Sequence, residues 1–360
     1  RFLGDRPCLP HKERGVVCSA CDRYSPISCR VLVIKLDSLG DVLRSTAILP
    51  GLKKQYGSPH VTWITRREAT GLLRDNPYID RIVEYGVPAL ALLGVETFDL
   101  AINLAASQES SALATLARAG RKVGYELSPD GIVRPLNPEA WEWFEMGLFD
   151  DLKKRNSKTY PQIACEIVGV PGEEGRPVLC LSEEELAFGR RFAMEREIRG
   201  DRPLVGINTG GGGRWRFKRG PSEGLQGLIE GLGIGGVQTV LLGGSAEEEL
   251  NRRLILHSGP GLIDGGCRNS LREFASLVDL CDLLVTGDSL ALHIAVALKK
   301  KVVALFGPTS AAEIDLCGLG VKIVPPLDCL CCYRPSCDHV PTCMEAIRVE
   351  EVLSAVKELL

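Results

Sequence analysis

The sequence predicts an α/β protein built as two facing Rossmann-like domains, each with a parallel sheet, and an interdomain cleft. Three observations lead there. The segment KLDSLGDV at 35–42 follows the apolar run 31–34. The segment TGDSLALH at 286–293 follows the apolar run 283–285. Each reads as a buried parallel strand turning into a helix, which is where ligands sit in open α/β sheets. Around both, short Val, Ile and Leu runs alternate with helical stretches, the pattern of a parallel sheet covered on both faces.

Taken in order, residues 1–29 are polar, bear cysteines and lack periodicity, so they form an extension rather than part of a core. Strands are expected over 30–36, 60–65, 81–85, 99–104 and 122–125, with helices over 42–55, 67–75 and 107–119. Segment 128–158 is irregular and aromatic, with Trp141, Trp143, Phe144 and Phe149 close together. It is either a flap over a site or a packed loop. A helix over 161–168 and a linker near 171–177 close the first half. After a charged helix over 183–199, strands follow at 204–208, 239–242, 283–286, 302–306 and 322–324. Helices fall at 223–232, 246–257, 271–280 and 290–298. A chain of 360 residues suits two domains. The divisions are a Cys-rich extension 1–29, an N-terminal domain 30–175, a C-terminal domain 176–345 and a final helix 346–360. That helix is amphipathic and is expected to pack back onto the first domain.

Composition excludes several classes. The chain is 45% hydrophobic and 25% charged, as soluble globular proteins are. A net charge of −3 argues against a nucleic-acid binder. No apolar stretch is long enough to span a membrane. The opening RFLGDRPCLPHKERG lacks a signal-peptide core and starts without Met, as a trimmed chain or a fragment does. Fourteen cysteines, many of them lone in apolar segments, fit a reducing cytoplasm.

Asp41, on the first βα turn and facing the cleft, suits a general base toward a hydroxyl; the plainer reading of the same position is an N-cap. Asp37 reads as a turn residue. Asp288 and Ser289 open a helix, whose free N–H groups make a seat for a diphosphate or are simply capped. His293, one turn on, is either a ligand contact or a helix-face hydrogen bond. The glycine run 210–213 with Arg216 and Lys218 suits an anionic leaving group, or is a solvated basic loop. Thr209 stands beside it. The turn Gly307-Pro308-Thr309 ends a strand and either closes over a nucleotide or only turns. Arg44, Arg66 and Arg67, near the first domain's strand ends, suit an acidic acceptor or a solvated surface. No Asp-x-Asp pair and no Gly-x-Gly-x-x-Gly after the first strand occur. The latter lowers a dehydrogenase reading.

The run RVLVIKLDSLGDVLRSTAILPGLKK resembles the opening of glycosyltransferase family 9, the lipopolysaccharide-core heptosyltransferases and their relatives. NTGGGGRWRFKR, VLLGGSAEEE, VTGDSLALHIAVALKKKVVALFGPTS and the cysteine-bearing tail resemble later landmarks in the same order. The resemblance spans about 30–360 and leaves the extension aside. It implies the GT-B fold and inverting transfer of a heptose-type sugar from a nucleotide diphosphate, usually ADP-heptose, to a glycan or glycolipid acceptor. It implies Asp41 as base and Lys218 on the phosphates, with no catalytic metal. It implies a cytoplasmic protein, peripheral at the inner membrane. Two departures stand out: Leu290 where relatives commonly have Gly, and Gly220 where they often carry Trp. A GT-B nucleotide-sugar epimerase and a non-catalytic glycan-assembly protein are the alternatives.

Two cysteine sets have ligand-like spacing. Cys8-x2-His11 followed by Cys18-x2-Cys21 matches a four-ligand site for structural zinc, with iron the second choice. Cys329-x2-Cys332-x4-Cys337-x5-Cys343, with Cys331 and His339 nearby, is a second candidate cluster.

Overall fold

The computed structural model describes residues 8–23, 26–172, 175–211, 222–258, 261–334 and 336–360. In chain order the first half contains α1 (Leu9–Arg14), β1 (Cys29–Ile34), α2 (Leu39–Ser45), α3 (Ile48–Tyr56), β2 (Pro59–Thr65), α4 (Thr70–Leu73), β3 (Arg81–Glu84) and α5 (Val87–Val95). It continues with β4 (Thr97–Asn103), α6 (Gln108–Leu116), β5 (Arg118–Leu127), β6 (Val133–Pro135), α7 (Pro138–Leu148), α8 (Asp150–Arg155) and α9 (Tyr160–Val168). The second half contains α10 (Glu183–Glu195), β7 (Leu204–Asn208), α11 (Ser222–Ile234), β8 (Gln238–Leu242), α12 (Glu248–Ser258), β9 (Leu262–Asp264) and α13 (Leu271–Leu280). It ends with β10 (Leu283–Gly287), α14 (Leu290–Ala297), β11 (Lys301–Leu305), β12 (Gly320–Ile323) and α15 (Val349–Leu359).

The strands form two six-stranded sheets, ordered β3-β2-β1-β4-β5-β6 and β12-β11-β10-β7-β8-β9. All pairings are parallel except β5 with β6. Both orders reverse direction beside their first strand: between β1 and β4, and between β7 and β10. Those are the crevices where doubly wound sheets hold ligands. The KLDSLGDV loop leaves β1 at one crevice, and TGDSLALH leaves β10 at the other.

The first core is built on Val31, Val33, Trp63, Ile102 and Tyr125, with α9 laid over it through Ile163 and Ile167. The second is built on Leu284, Ala304, Val278 and α14, and takes in Leu43 and Leu72 from the first domain. The two domains are therefore joined by buried apolar contact, as well as by the linker. Between α2 and α3 the helix predicted over 42–55 breaks. There the Thr46 hydroxyl donates to Leu43 O and accepts the Val178 N–H at 2.8 Å, tying the linker to the first domain. A backbone requirement is clear at Gly124, where φ is +91° and a Cβ would lie 1.8 Å from Asn103 O.

Two expectations are corrected here. The C-terminal helix α15 does not return to the first domain's core. Val352 and Val356 are buried with Leu228, Ile229 and Leu232 of the second, and Leu353 lies against Gly231, where a Cβ would stand 2.5 Å from it. The small residue Gly231 is what lets this helix settle on α11. Segment 128–158, expected to be irregular, instead contains the helices α7 and α8.

Candidate active site

The two ligand crevices open into one cleft of about 1220 Å³. Its walls include Asp41 and Arg44 from the first domain and Asp288, Ser289, His293 and Glu313 from the second. The aromatic helix α7 contributes Trp143 and Phe144. Trp143 meets Tyr160 edge-on at 5.6 Å between ring centroids. Of the four aromatic residues noted in the sequence, Trp143 and Phe144 thus line the cleft, while Trp141 and Phe149 are exposed.

Asp41 is not the cap of its helix. Ser38 is: its hydroxyl accepts the Asp41 N–H. The Asp41 carboxylate is consequently turned to other groups. Oδ1 is 2.7 Å from Arg44 Nη2, and Oδ2 accepts the Ser38 hydroxyl at 2.7 Å. Burial works to raise this carboxyl. The charges of Arg44 and then Lys35, the Ser38 hydrogen bond and His293 outweigh it and hold the group far below the usual carboxylate range. Lys35 is a buried cation, paired with Asp37 at 2.6 Å and donating to Leu104 O at 2.6 Å. Asp37, read from sequence as a turn residue, is therefore the counter-ion of the lysine beneath the site.

His293 rises from α14 against the first domain's Gly40. A Cβ at Gly40 would stand 2.9 Å from His293 Cδ2. That glycine lets the two loops meet. Gly40→Ala should separate them and lower turnover about 10²-fold, as small misplacements in a site do, with little loss of thermal stability. Wild-type turnover in that variant would show that the close approach has no functional part.

Helix α14 has Ser289 at its N-cap without a side-chain cap bond. The Ser289 hydroxyl is instead within hydrogen-bond distance of the Thr286 hydroxyl (3.0 Å) and accepts from Asn208 Nδ2 (3.2 Å). Asn208, unmarked in the sequence, ties the β7 and β10 loops together and also donates to Gly210 O at 2.7 Å. Thr209 is buried and spends its hydroxyl on Asn251 Oδ1 at 2.6 Å, so it braces the loop rather than facing the cleft. Arg216, Lys218 and the rest of the basic loop lie outside the described residues. Thr309 is buried, and its hydroxyl has no hydrogen-bond partner among the described residues.

Arg66 and Arg67 stand apart from the cleft lining. Arg66 pairs with Glu109 at 3.1 Å and donates to Leu36 O, while Arg67 is exposed. Arg44, by contrast, is buried in the site and lies over the Tyr160 ring, 3.9 Å from its centroid.

All fourteen cysteines are free thiols. Among the described residues no three His, Cys, Asp or Glu side chains are gathered as a metal shell requires, and the zinc or iron expected at Cys8, His11, Cys18 and Cys21 finds no such site. His11 Nδ1 bonds Val16 O at 2.9 Å, and the segment is closed by an Arg14–Asp22 pair at 2.8 Å. The set Cys329, Cys332, Cys337 and Cys343 is not gathered into a shell either. The Cys343 thiol is pushed up to about 11, first by burial and then by its cysteine neighbours. This tail straps the turn after β11: Cys331 N donates to Gly307 O and Tyr333 N to Pro308 O. Gly307 serves that packing, since a Cβ there would meet Cys343 Sγ at 2.5 Å. Tyr333 in turn accepts the Ser310 N–H and donates to Glu313. Glu313, Tyr333 and Asn208 escaped the sequence reading because only tertiary packing brings them to the cleft, and Tyr160 because only packing lays it against Arg44.

Comparison with known proteins decides the family. The model of glycosyltransferase family 9 (heptosyltransferase) matches residues 91–332, more than half the chain. The chain belongs to glycosyltransferase family 9. It is therefore a glycosyltransferase, and the two-sheet architecture is the GT-B fold. Lipooligosaccharide heptosyltransferase 2 of Haemophilus influenzae is 26% identical over 310 residues, covering 78% of this chain and 84% of that protein. A family 9 glycosyltransferase from Veillonella parvula superposes with a TM-score of 0.74 at 20% identity, covering 92% of this chain and 97% of that one. The ADP-heptose lipopolysaccharide heptosyltransferase II of E. coli gives 0.69 at 20% identity, covering 92% and 98%. Among the described residues of this family 9 chain, no helix is long and apolar enough to cross a membrane.

Proposed function

We propose that this family 9 enzyme transfers a heptose-type sugar from ADP-heptose to a hydroxyl of a lipopolysaccharide-core or related glycan, with inversion. The observation that carries the reading is the placement of Asp41 across the cleft from the open N-terminus of α14. The diphosphate takes the α14 N–H groups, with Lys218 and Arg216 as its cations, and Asp288 holds sugar hydroxyls. Asp41 then accepts the proton of the acceptor hydroxyl. The acceptor oxygen attacks the anomeric carbon on the face opposite the phosphate, and the bond to ADP breaks. Arg44 acts on Asp41, while Arg66 and Arg67, outside the cleft lining, meet only acidic groups of an acceptor that extends beyond the cleft. No step calls for a metal. The reaction belongs at the cytoplasmic face of the inner membrane, where a lipid-linked acceptor is found.

A calorimetric titration with ADP-heptose and with UDP-, GDP- and dTDP-sugars tests the donor. Selective binding of ADP-heptose is the expected outcome. Selective binding of another nucleotide sugar would overturn the donor while leaving the fold intact.

A further inference from the structure

Arg44 lies between two carboxyl groups that belong to different domains. Its Nη2 is 2.7 Å from Asp41 Oδ1, and its Nη1 is 3.9 Å from Glu313 Oε2. The guanidinium lies over Tyr160, and the Tyr160 N–H donates to the backbone carbonyl of Glu313 at 2.8 Å. The backbones that carry the ring under Arg44 and the second carboxylate are thus tied to each other. Glu313 is only 7% exposed, and Tyr333 donates to its carboxylate. Nothing in the sequence marks Glu313, and the transfer reaction as derived does not use it.

Asp41 has a difficulty that Glu313 resolves. Both of its oxygens are engaged, one by Arg44 and one by Ser38. A carboxylate so stabilised is a poor proton acceptor, yet the acceptor hydroxyl must reach it. We propose that Glu313 is a positioning residue that takes the Arg44 guanidinium from Asp41 when the acceptor binds. The inference rests on the reading of Asp41 as base. A small turn of the guanidinium over Tyr160 lengthens the Asp41 pair and closes the gap to Glu313. The freed Asp41 oxygen takes the acceptor proton, and the cation remains buried against a carboxylate throughout.

The charges around each group agree with this exchange. Asp41 faces Arg44, Lys35 and His293, and Lys35 is itself paired with Asp37. Glu313 faces Arg44, Lys153, Asp288 and Tyr333. Arg44 faces Asp41, Tyr160, Glu313 and Asp288. Burial lifts the Glu313 carboxyl above its ordinary range although Arg44 and Lys153 draw it down. It therefore gains from a closer cation.

The test compares pH profiles of kcat/KM, which report the free enzyme, with those of kcat, which report the bound complex. In the wild type the acid limb of kcat lies at higher pH than that of kcat/KM, by about one unit or more. In Glu313→Gln the two limbs coincide at the lower position, and plateau kcat falls about tenfold. Glu313→Asp restores part of the separation. In an Arg44→Gln background, Glu313→Gln moves neither limb, because the shared partner is gone. A Glu313→Gln enzyme that keeps the wild-type separation, or one that shifts equally in both backgrounds, overturns the proposal. Asp41→Asn separates the two ideas. If it turns over, the base reading fails. If it is inert while Glu313→Gln leaves the limbs apart, only the role of Glu313 fails.

Discussion

Asp41→Asn lowers transfer about 10³-fold while nucleotide-sugar affinity stays near wild type. The amide keeps the size of the carboxylate but cannot take a proton from the acceptor. Donor affinity should survive because the proposed nucleotide seat, the loops after β7 and β10, belongs to the other domain. The variant also removes the ion pair of Arg44 with Asp41 and weakens the hydrogen bond from the Ser38 hydroxyl. A modest change in acceptor KM is therefore compatible with the account. Initial rates with calorimetric donor binding on the same preparation check both halves. Turnover within a few-fold of wild type would remove Asp41 from the chemistry.

Arg272→Ala has the largest expected effect on stability. Arg272, on α13, is buried beside Glu185 of α10, which takes both its Nε and Nη2. The same guanidinium donates to Cys180 O at 2.6 Å and to Gly71 O of the first domain at 3.2 Å, with Asp75 at 3.6 Å. One side chain thereby joins α10, the segment leading into it and the first domain. Removing it strands Glu185, which is itself largely buried, and should cost about 3–5 kcal/mol, read as a lower urea midpoint.

The pH dependence of that loss follows from Glu185. Burial works to raise its carboxyl, but the Arg272 hydrogen bonds and charge and the Ser182 N–H bring it below its ordinary value. A depressed carboxyl contributes stability above its unfolded pKa, about 4.3, and loses it as pH falls through the folded value. The deficit of Arg272→Ala should be full at neutral pH and shrink below about pH 4. Arg272→Lys should recover part of the charge term without the forked geometry. A deficit that is constant from pH 7 to pH 3 would assign the effect to packing alone.

The sheet strands were the most legible part of the chain. Buried parallel strands are short apolar runs between helical segments, and those at 204–208 and 283–287 stand within a residue of the sequence reading. Helix α5 was missed because VPALALLGV is apolar all round. It leaves Val87, Leu90 and Val95 exposed and offers no periodic contrast. Helices α7 and α8 were hidden by the mix of aromatic and charged residues at 138–155.

That Asp41, Asp288, Ser289 and His293 would share one cleft was legible, because two loops carry them at the sheet ends, where the topology brings them together. Glu313 and Tyr160 were not. Each is an ordinary residue in its local sequence, and only the packing of one domain on the other gives it a place beside Arg44. The cysteine spacings raised metal sites that the described residues do not assemble, since spacing along a chain does not fix convergence in space.

The most direct test is acceptor-dependent release of ADP from ADP-heptose, followed by mass analysis of the acceptor glycan. Purified enzyme, ADP-heptose and a lipopolysaccharide-core acceptor lacking its outer heptose are incubated together, with Asp41→Asn in parallel. The account predicts ADP release only when acceptor is present, one heptose added to the glycan, and neither with the variant. Donor consumed without acceptor, or a glycan extended equally by the variant, would contradict it.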